Sequence, residues 1–213
     1  MNEIKMKVLE GKLTYKGVTI LNYKIEYPMI IFSRYAYGKE VFNRYNRDIA
    51  YELESYCKGE LYEQAKEVYD YNEQNGYPIM QFEVILDTKI TLDEGHIVSL
   101  YQDQYIFTGG AHGSTIKAAQ TWMLPLGRQM TLEEFYPENP NYVLDILREI
   151  MKQIQEQIEA GTGAYFEDYC QLVINTIQLE NFYIIPNKTV IFFQQYDIAP
   201  YSSGIPIFEI NRE

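Results

Sequence analysis

The stretch Tyr51-Glu52-Leu53-Glu54-Ser55-Tyr56-Cys57-Lys58-Gly59-Glu60-Leu61-Tyr62-Glu63-Gln64-Ala65 sets apolar side chains at Leu53, Tyr56, Cys57, Leu61 and Ala65, in steps of one, three or four residues. That recurrence is helical. It continues through Phe42, Tyr45 and Ile49 on one side and Val68 on the other, so a long amphipathic helix is predicted from about Lys39 to Asn72. Gly59 lies inside it and costs about 1 kcal/mol relative to alanine, which predicts a kink or break there. Glu60, Glu63, Glu67 and Asp70 form an acidic stripe that reads as a solvated helix face, with a docking strip for a basic partner as the less favoured reading. Asn75-Gly76-Tyr77-Pro78 supplies the turn chemistry that ends the segment.

Working outward, the period changes on both sides. Lys5 to Tyr15 and Val18 to Tyr27 read as two strands joined by a hairpin at Lys16-Gly17. Beyond the helix, Ile79 to Leu92, His96 to Thr108 and Thr115 to Leu124 read as strands, with Asp93-Glu94-Gly95 turning the first into the second. Thr131 to Glu134 has capping-box spacing for a short helix. A second long helix begins near Pro140, with Leu144, Leu147, Met151, Ile154 and Ile158 as its expected buried stripe, and ends at Gly161 and Gly163. Tyr165 to Ile177 is expected to be helical, and Phe182 to Ile185, Thr189 to Gln195 and Ile205 to Ile210 close the chain as strands. Hairpin clusters separated by long helices, without repeating βαβ units, predict an α+β fold with antiparallel sheet packed against two long helices. Residues 1–78 form an N-terminal hairpin-plus-helix part and residues 79–213 a C-terminal β/α part, expected to make one compact unit.

Composition narrows the function classes. The chain has 213 residues, of which 46% are hydrophobic and 23% charged, enough for a buried core. Thirty acidic residues against 18 basic ones give a formal net charge of −12, which argues against a phosphate-tracking nucleic-acid surface and against anionic membranes. The same field serves solubility, and it would speed encounter with a cationic partner. The 21 tyrosines suit half-buried strands, protein interfaces and sugar-stacking surfaces alike. No apolar leader and no run of about eighteen apolar residues is present, so the chain reads as soluble, without membrane insertion. Cys57 and Cys170 form no ligand-spaced pair; a single long-range disulfide and two unpaired thiols both remain open.

Chemistry-bearing motifs are sparse. The two histidines, His96 and His112, have no neighbouring cysteines and no recognised ligand spacing, so no metal or cofactor is expected. There is no nucleophile elbow, P-loop, HExxH or dinucleotide fingerprint. Paired carboxylates for glycoside hydrolysis are compatible with so acidic a sequence, since the separation that matters is spatial. The chain is therefore read as non-enzymatic, with a wall-glycan hydrolase as the least favoured reading.

Two loops stand out. Gly109-Gly110-Ala111-His112-Gly113 follows the strand Tyr105-Ile106-Phe107, and its glycines permit positive φ and close backbone approach. It reads either as a tight turn with His112 bonded to a neighbouring carbonyl or as a recognition loop. After Tyr196-Asp197-Ile198, Ala199-Pro200-Tyr201-Ser202-Ser203-Gly204 sets a rigid aromatic beside small hydrogen-bonding residues, the composition of an adaptable contact surface or of a plain connection. With Leu126-Gly127-Arg128-Gln129-Met130-Thr131-Leu132, Phe182-Tyr183-Ile184 and Tyr27-Pro28, these motifs resemble the extracytoplasmic domain of the RsiV-type anti-sigma factors, and also the N-terminal module of PdaC-type peptidoglycan deacetylases, over roughly residues 20 to 210.

That resemblance implies binding to lysozyme or association with the cell wall, at an extracytoplasmic or surface location. The deacetylase performs its zinc chemistry in a separate domain, whose paired-histidine signature is missing from this sequence. Anti-sigma members carry a cytoplasmic segment and a membrane span ahead of this domain; neither occurs in this sequence, so the chain alone is not expected to transmit a signal. The expected binding residues are Gly109, Gly110, His112 and Ser114 in the first loop, and Tyr196, Pro200, Tyr201, Ser202 and Ser203 in the second. The expected partner is a basic protein such as lysozyme, which acidic charge would steer; the alternative is peptidoglycan or another wall polysaccharide stacked on exposed tyrosines.

Overall fold

The computed structural model describes residues 1–212. Strand β1 (Glu3–Tyr15) turns into β2 (Val18–Phe32) through Lys16 and Gly17, at φ 46° and 82°. Two successive positive φ values match the right-handed twist of the flanking strands, which is why a two-residue turn suffices. Helix α1 (Ala36–Lys58) and helix α2 (Glu60–Asn75) are separated at Gly59, whose φ −105° and ψ −101° are not helical. Gly76, left-handed at φ 69°, caps α2.

Strands β3 (Phe82–Asp93), β4 (Ile97–Phe107), β5 (Ser114–Met123) and β6 (Arg128–Gln129) follow. After a 3₁₀ turn at Leu132–Phe135 come α3 (Tyr142–Glu159) and α4 (Tyr169–Thr176). Strands β7 (Phe182–Ile185), β8 (Lys188–Phe192) and β9 (Ile207–Asn211) finish the chain.

The fold is α+β, with a six-stranded sheet ordered β1-β2-β3-β4-β5-β6 and a three-stranded sheet ordered β7-β8-β9. One pairing departs from the antiparallel expectation. Residues Leu21 to Ile25 of β2 run parallel to Phe82 to Leu86 of β3. The reason is the α1–α2 connection, which returns the chain to the end from which it left, as a helical crossover does and a hairpin cannot.

Contacts group the residues into two compact units, neither made of one continuous segment. The first comprises Met1–Lys89, Gln102–Ile116 and Leu124–Gly127, the second Ile90–Tyr101, Lys117–Met123 and Arg128–Glu213. In the first, Leu53, Cys57, Leu61 and Ala65 of the helices pack on Leu21, Tyr23 and Ile25 of β2 and on Phe82 and Val84 of β3. The helical period read around Leu53 is thus the face that meets the sheet, and each fully buried aliphatic side chain there contributes about 1.5–3 kcal/mol. In the second, Ile146, Ile150 and Ile154 of α3 join Ile184 of β7, Ile191 of β8 and Phe208 of β9.

Helix α3 corrects the expected stripe. Ile154 is buried as expected, and Leu147 and Met151 pack partly buried, but Leu144 is 53% and Ile158 44% exposed. At about 100° per residue, Leu144 lies about 120° round the helix from Ile150, on the margin of the buried face. Helix α4 begins at Tyr169, four residues later than expected. Ahead of it the Phe166 amide donates to the carbonyl of Ile198 at 3.1 Å, so this backbone is held by a distant loop and not by a helical ladder.

Candidate functional site

The Gly109–Gly113 loop belongs to the first unit and joins β4 to β5. Gly109 and Gly110 take φ 99° and 89°, which a residue with Cβ rarely adopts. At Gly113 the requirement is space: a Cβ there would overlap the Tyr105 ring. His112 is exposed, and its Nδ1 lies 3.0 Å from the carbonyl oxygen of Gly113. A carbonyl only accepts, so Nδ1 carries the proton of this bond. Ser114, exposed, is the first residue of β5. Gly110, His112 and Ser114 are thus solvent-facing and Gly109 half-buried.

The Tyr196–Gly204 loop belongs to the second unit, and its entry is tightly tied. The Gln194 amide nitrogen donates to Asp197 Oδ2 at 2.8 Å and the Asp197 amide donates back to the Gln194 carbonyl at 3.2 Å. Burial pushes the Asp197 carboxyl up from its ordinary range, opposed by the Gln194 amide. Between them Tyr196 stands at φ 69°, a left-handed conformation uncommon for a bulky residue, and is 55% exposed. Its ring centroid lies 5.9 Å from that of Tyr201, with 32° between the planes. Ile198 and Ala199 anchor the loop in the core.

Pro200 is extended, and Tyr201–Ser203 makes a 3₁₀ turn in which the Ser203 amide donates to the Pro200 carbonyl at 2.9 Å. The Ser203 hydroxyl donates to the carbonyl of Ala164 at 2.9 Å. Ser202 and Ser203 are exposed and line a cavity of about 570 Å³ with Gly163 and Tyr165. The structure therefore pairs the rings of Tyr196 and Tyr201 and sets Ser202 and Ser203, which follow Pro200 and Tyr201 in the same turn, at the cavity.

The residues that sequence reading missed adjoin this surface. A groove of about 650 Å³ shares Gln157, Thr162 and Ile207 with the serine-lined cavity, and carries Glu149, Glu156 and Glu209. Glu149 and Glu156 are two turns apart on α3, with Lys152 at 3.6 and 3.9 Å from them, and Glu209 is paired with Lys188 at 2.6 Å. The seven-residue spacing of the two glutamates was visible in the sequence; that Glu209 joins them is a tertiary fact. The second unit holds fifteen acidic residues against six basic ones, nine of the twelve excess negative charges of the chain.

Among the described residues no three His, Cys, Asp or Glu side chains are grouped to hold a metal ion, and no helix is long and apolar enough to cross a membrane. Both cysteines are free, Cys57 buried and Cys170 exposed.

Residues 16–115 match the family described as Deacetylase PdaC, and residues 133–213 match the family described as Protein of unknown function (DUF3298). A DUF3298 family member from Bacteroides fragilis NCTC 9343 shares the fold at TM-score 0.76 and 18% identity, over 99% of this chain and 90% of that one. A DUF3298 family protein from Pseudomonas aeruginosa PAO1 does so at TM-score 0.61 and 14% identity, over 99% and 91%. Among curated proteins none matches the chain.

Proposed function

We propose that this chain is a non-catalytic binding module whose partner is a basic protein, a lysozyme by the resemblance of its motifs, met outside the cytoplasm. The observation that carries the reading is the concentration of acidic charge in the unit that also bears the Tyr196–Ser203 surface. Complementary charge steers encounter and sets its salt dependence, while burial of half-exposed aromatics such as Tyr201 supplies affinity. Pro200 and the short 3₁₀ turn hold that surface in shape, which limits the ordering cost on binding. Gly110, His112 and Ser114 form a separate exposed loop in the first unit, which the same titration tests by itself.

The test is calorimetric titration with an animal-type lysozyme at low and at physiological salt, beside an assay of lysozyme activity. Saturable binding that weakens with salt and lowers the activity supports the reading, and Tyr201→Ala should weaken it by about tenfold or more if Tyr201 is an anchor. Unchanged affinity in both Tyr201→Ala and His112→Ala would remove the two loops from the interface.

A second reading, wall-polysaccharide binding, rests on the paired rings of Tyr196 and Tyr201, which offer sugar-sized apolar area. Retention on purified peptidoglycan, lost in Tyr196→Ala, would favour it over the protein partner.

A further inference from the structure

Strand β9 ends its sheet, and the pairing register shows which of its backbone groups face outward. The Phe193 amide donates to the Pro206 carbonyl and the Arg212 amide to the Asn187 carbonyl, each at 3.0 Å. In an antiparallel ladder the bonded positions alternate, so residues 206, 208, 210 and 212 turn their main chain toward β8. Ile207, Glu209 and Asn211 turn theirs to the open side. The Glu209 carbonyl agrees, since it accepts Gln153 Nε2 from α3 at 3.0 Å, a side-chain bond that an incoming strand would have to replace. At the opposite edge of this sheet, the Ile184 amide of β7 is already taken by the Ser99 hydroxyl at 2.8 Å.

The groove of about 650 Å³ runs along that open edge. Phe208 and Ile210 occupy the face packed with Ile150, so Ile207 and Glu209 project to the other face. A strand added to the edge would therefore set alternate side chains toward Glu149 and Glu156 on α3, and the intervening ones beside Ile207, which is 48% exposed. An edge of this kind is a template for main-chain pairing, with specificity from alternate side chains. A second copy of the chain is a poor occupant, because the second unit of each copy would bring an excess of nine acidic residues to the contact.

We propose that the open edge of β9 receives an extended segment of a partner protein, with lysine or arginine at alternate positions and apolar residues between them. This goes beyond the binding reading given above and does not depend on the Tyr196–Ser203 loop.

The probe is a fluorescein-labelled peptide of strictly alternating lysine and valine, compared with a block-ordered peptide of the same composition, by anisotropy with the whole chain. The alternating peptide should bind saturably and more tightly than the blocked one. Ile207→Pro deletes an outward amide without touching the β8 ladder, and should weaken binding about fivefold. Glu156→Gln should weaken it and flatten its salt dependence.

Hydrogen exchange on the wild-type chain gives an independent readout: the peptide should protect the amides of Ile207, Glu209 and Asn211, while those of Phe208 and Ile210 are protected beforehand. Absence of binding, equal affinity for the two peptides, protection confined to other segments, or sedimentation showing the edge closed by self-association would each overturn the proposal.

Discussion

The side-chain amide of Gln194 pairs with both ends of the main chain at Lys117: its Oε1 accepts the Lys117 amide at 3.0 Å, and its Nε2 donates to the Lys117 carbonyl at 2.7 Å. One side chain thereby does for β5 what a neighbouring strand would do, and it holds the entry of the Tyr196–Ser203 loop. Lys117 itself is only 7% exposed, with its ammonium 3.6 Å from the centre of the Tyr101 ring.

Gln194→Ala should therefore remove two hydrogen bonds to the Lys117 main chain and destabilise the chain by about 1–3 kcal/mol. Gln194→Glu retains an acceptor but sets a carboxylate oxygen against the Lys117 carbonyl, so it should be no milder than alanine at neutral pH. Urea unfolding of the two variants measures both; a neutral Gln194→Glu would show that the Nε2 bond contributes nothing.

The hydroxyl of Ser99, fully buried, lies 2.8 Å from that of Thr121 and accepts the Ile184 amide at 2.8 Å. Ser99→Ala should cost about 1–3 kcal/mol, because it removes the partner of the amide of fully buried Ile184. Faster hydrogen exchange at Ile184, with β8 little changed, is the local signature to look for.

Burial pushes the Cys57 thiol up to about 11, and Cys170 is exposed. Since the thiolate is the reactive form, a native chain at mildly alkaline pH should titrate one fast thiol, and both only after denaturation. Cys170→Ser should abolish the fast phase, and Cys57→Ser should leave it intact.

The Arg128 guanidinium, bonded to Glu134 at 2.6 and 2.9 Å, together with the Thr131 amide holds the Glu134 carboxyl at about 2, below its ordinary 4.5. A lowered carboxyl stabilises the fold above its unfolded value, and that contribution is lost as pH falls from about 4.5 toward 2. Glu134→Gln should remove this part of the acid dependence while costing less than about 1 kcal/mol at neutral pH, because the pair is largely solvated. Acid titration of stability in both chains is the check.

Features made by neighbouring residues were legible in the sequence. Lys16-Gly17, Gly59, Gly76 and the Thr131–Glu134 pairing each act within a few positions, so their chemistry can be read in order. The parallel pairing of Leu21 with Phe82 could not be read that way, because it depends on how two helices return the chain. The same holds at the candidate site. The aromatic and serine content of Tyr196–Ser203 marked a surface, but the Gln194–Lys117 clamp spans 77 positions and the grouping of Glu209 with Glu149 and Glu156 needs the folded sheet. Helix α3 failed for a subtler reason: it carries more apolar residues than its buried face can take, and spacing alone left the centre of that face undecided.

The two units interleave along the sequence, each built from three separate segments. A chain break at any single point between residues 90 and 127 would part at least one unit from a segment it is built on, so no single cut there yields both units whole.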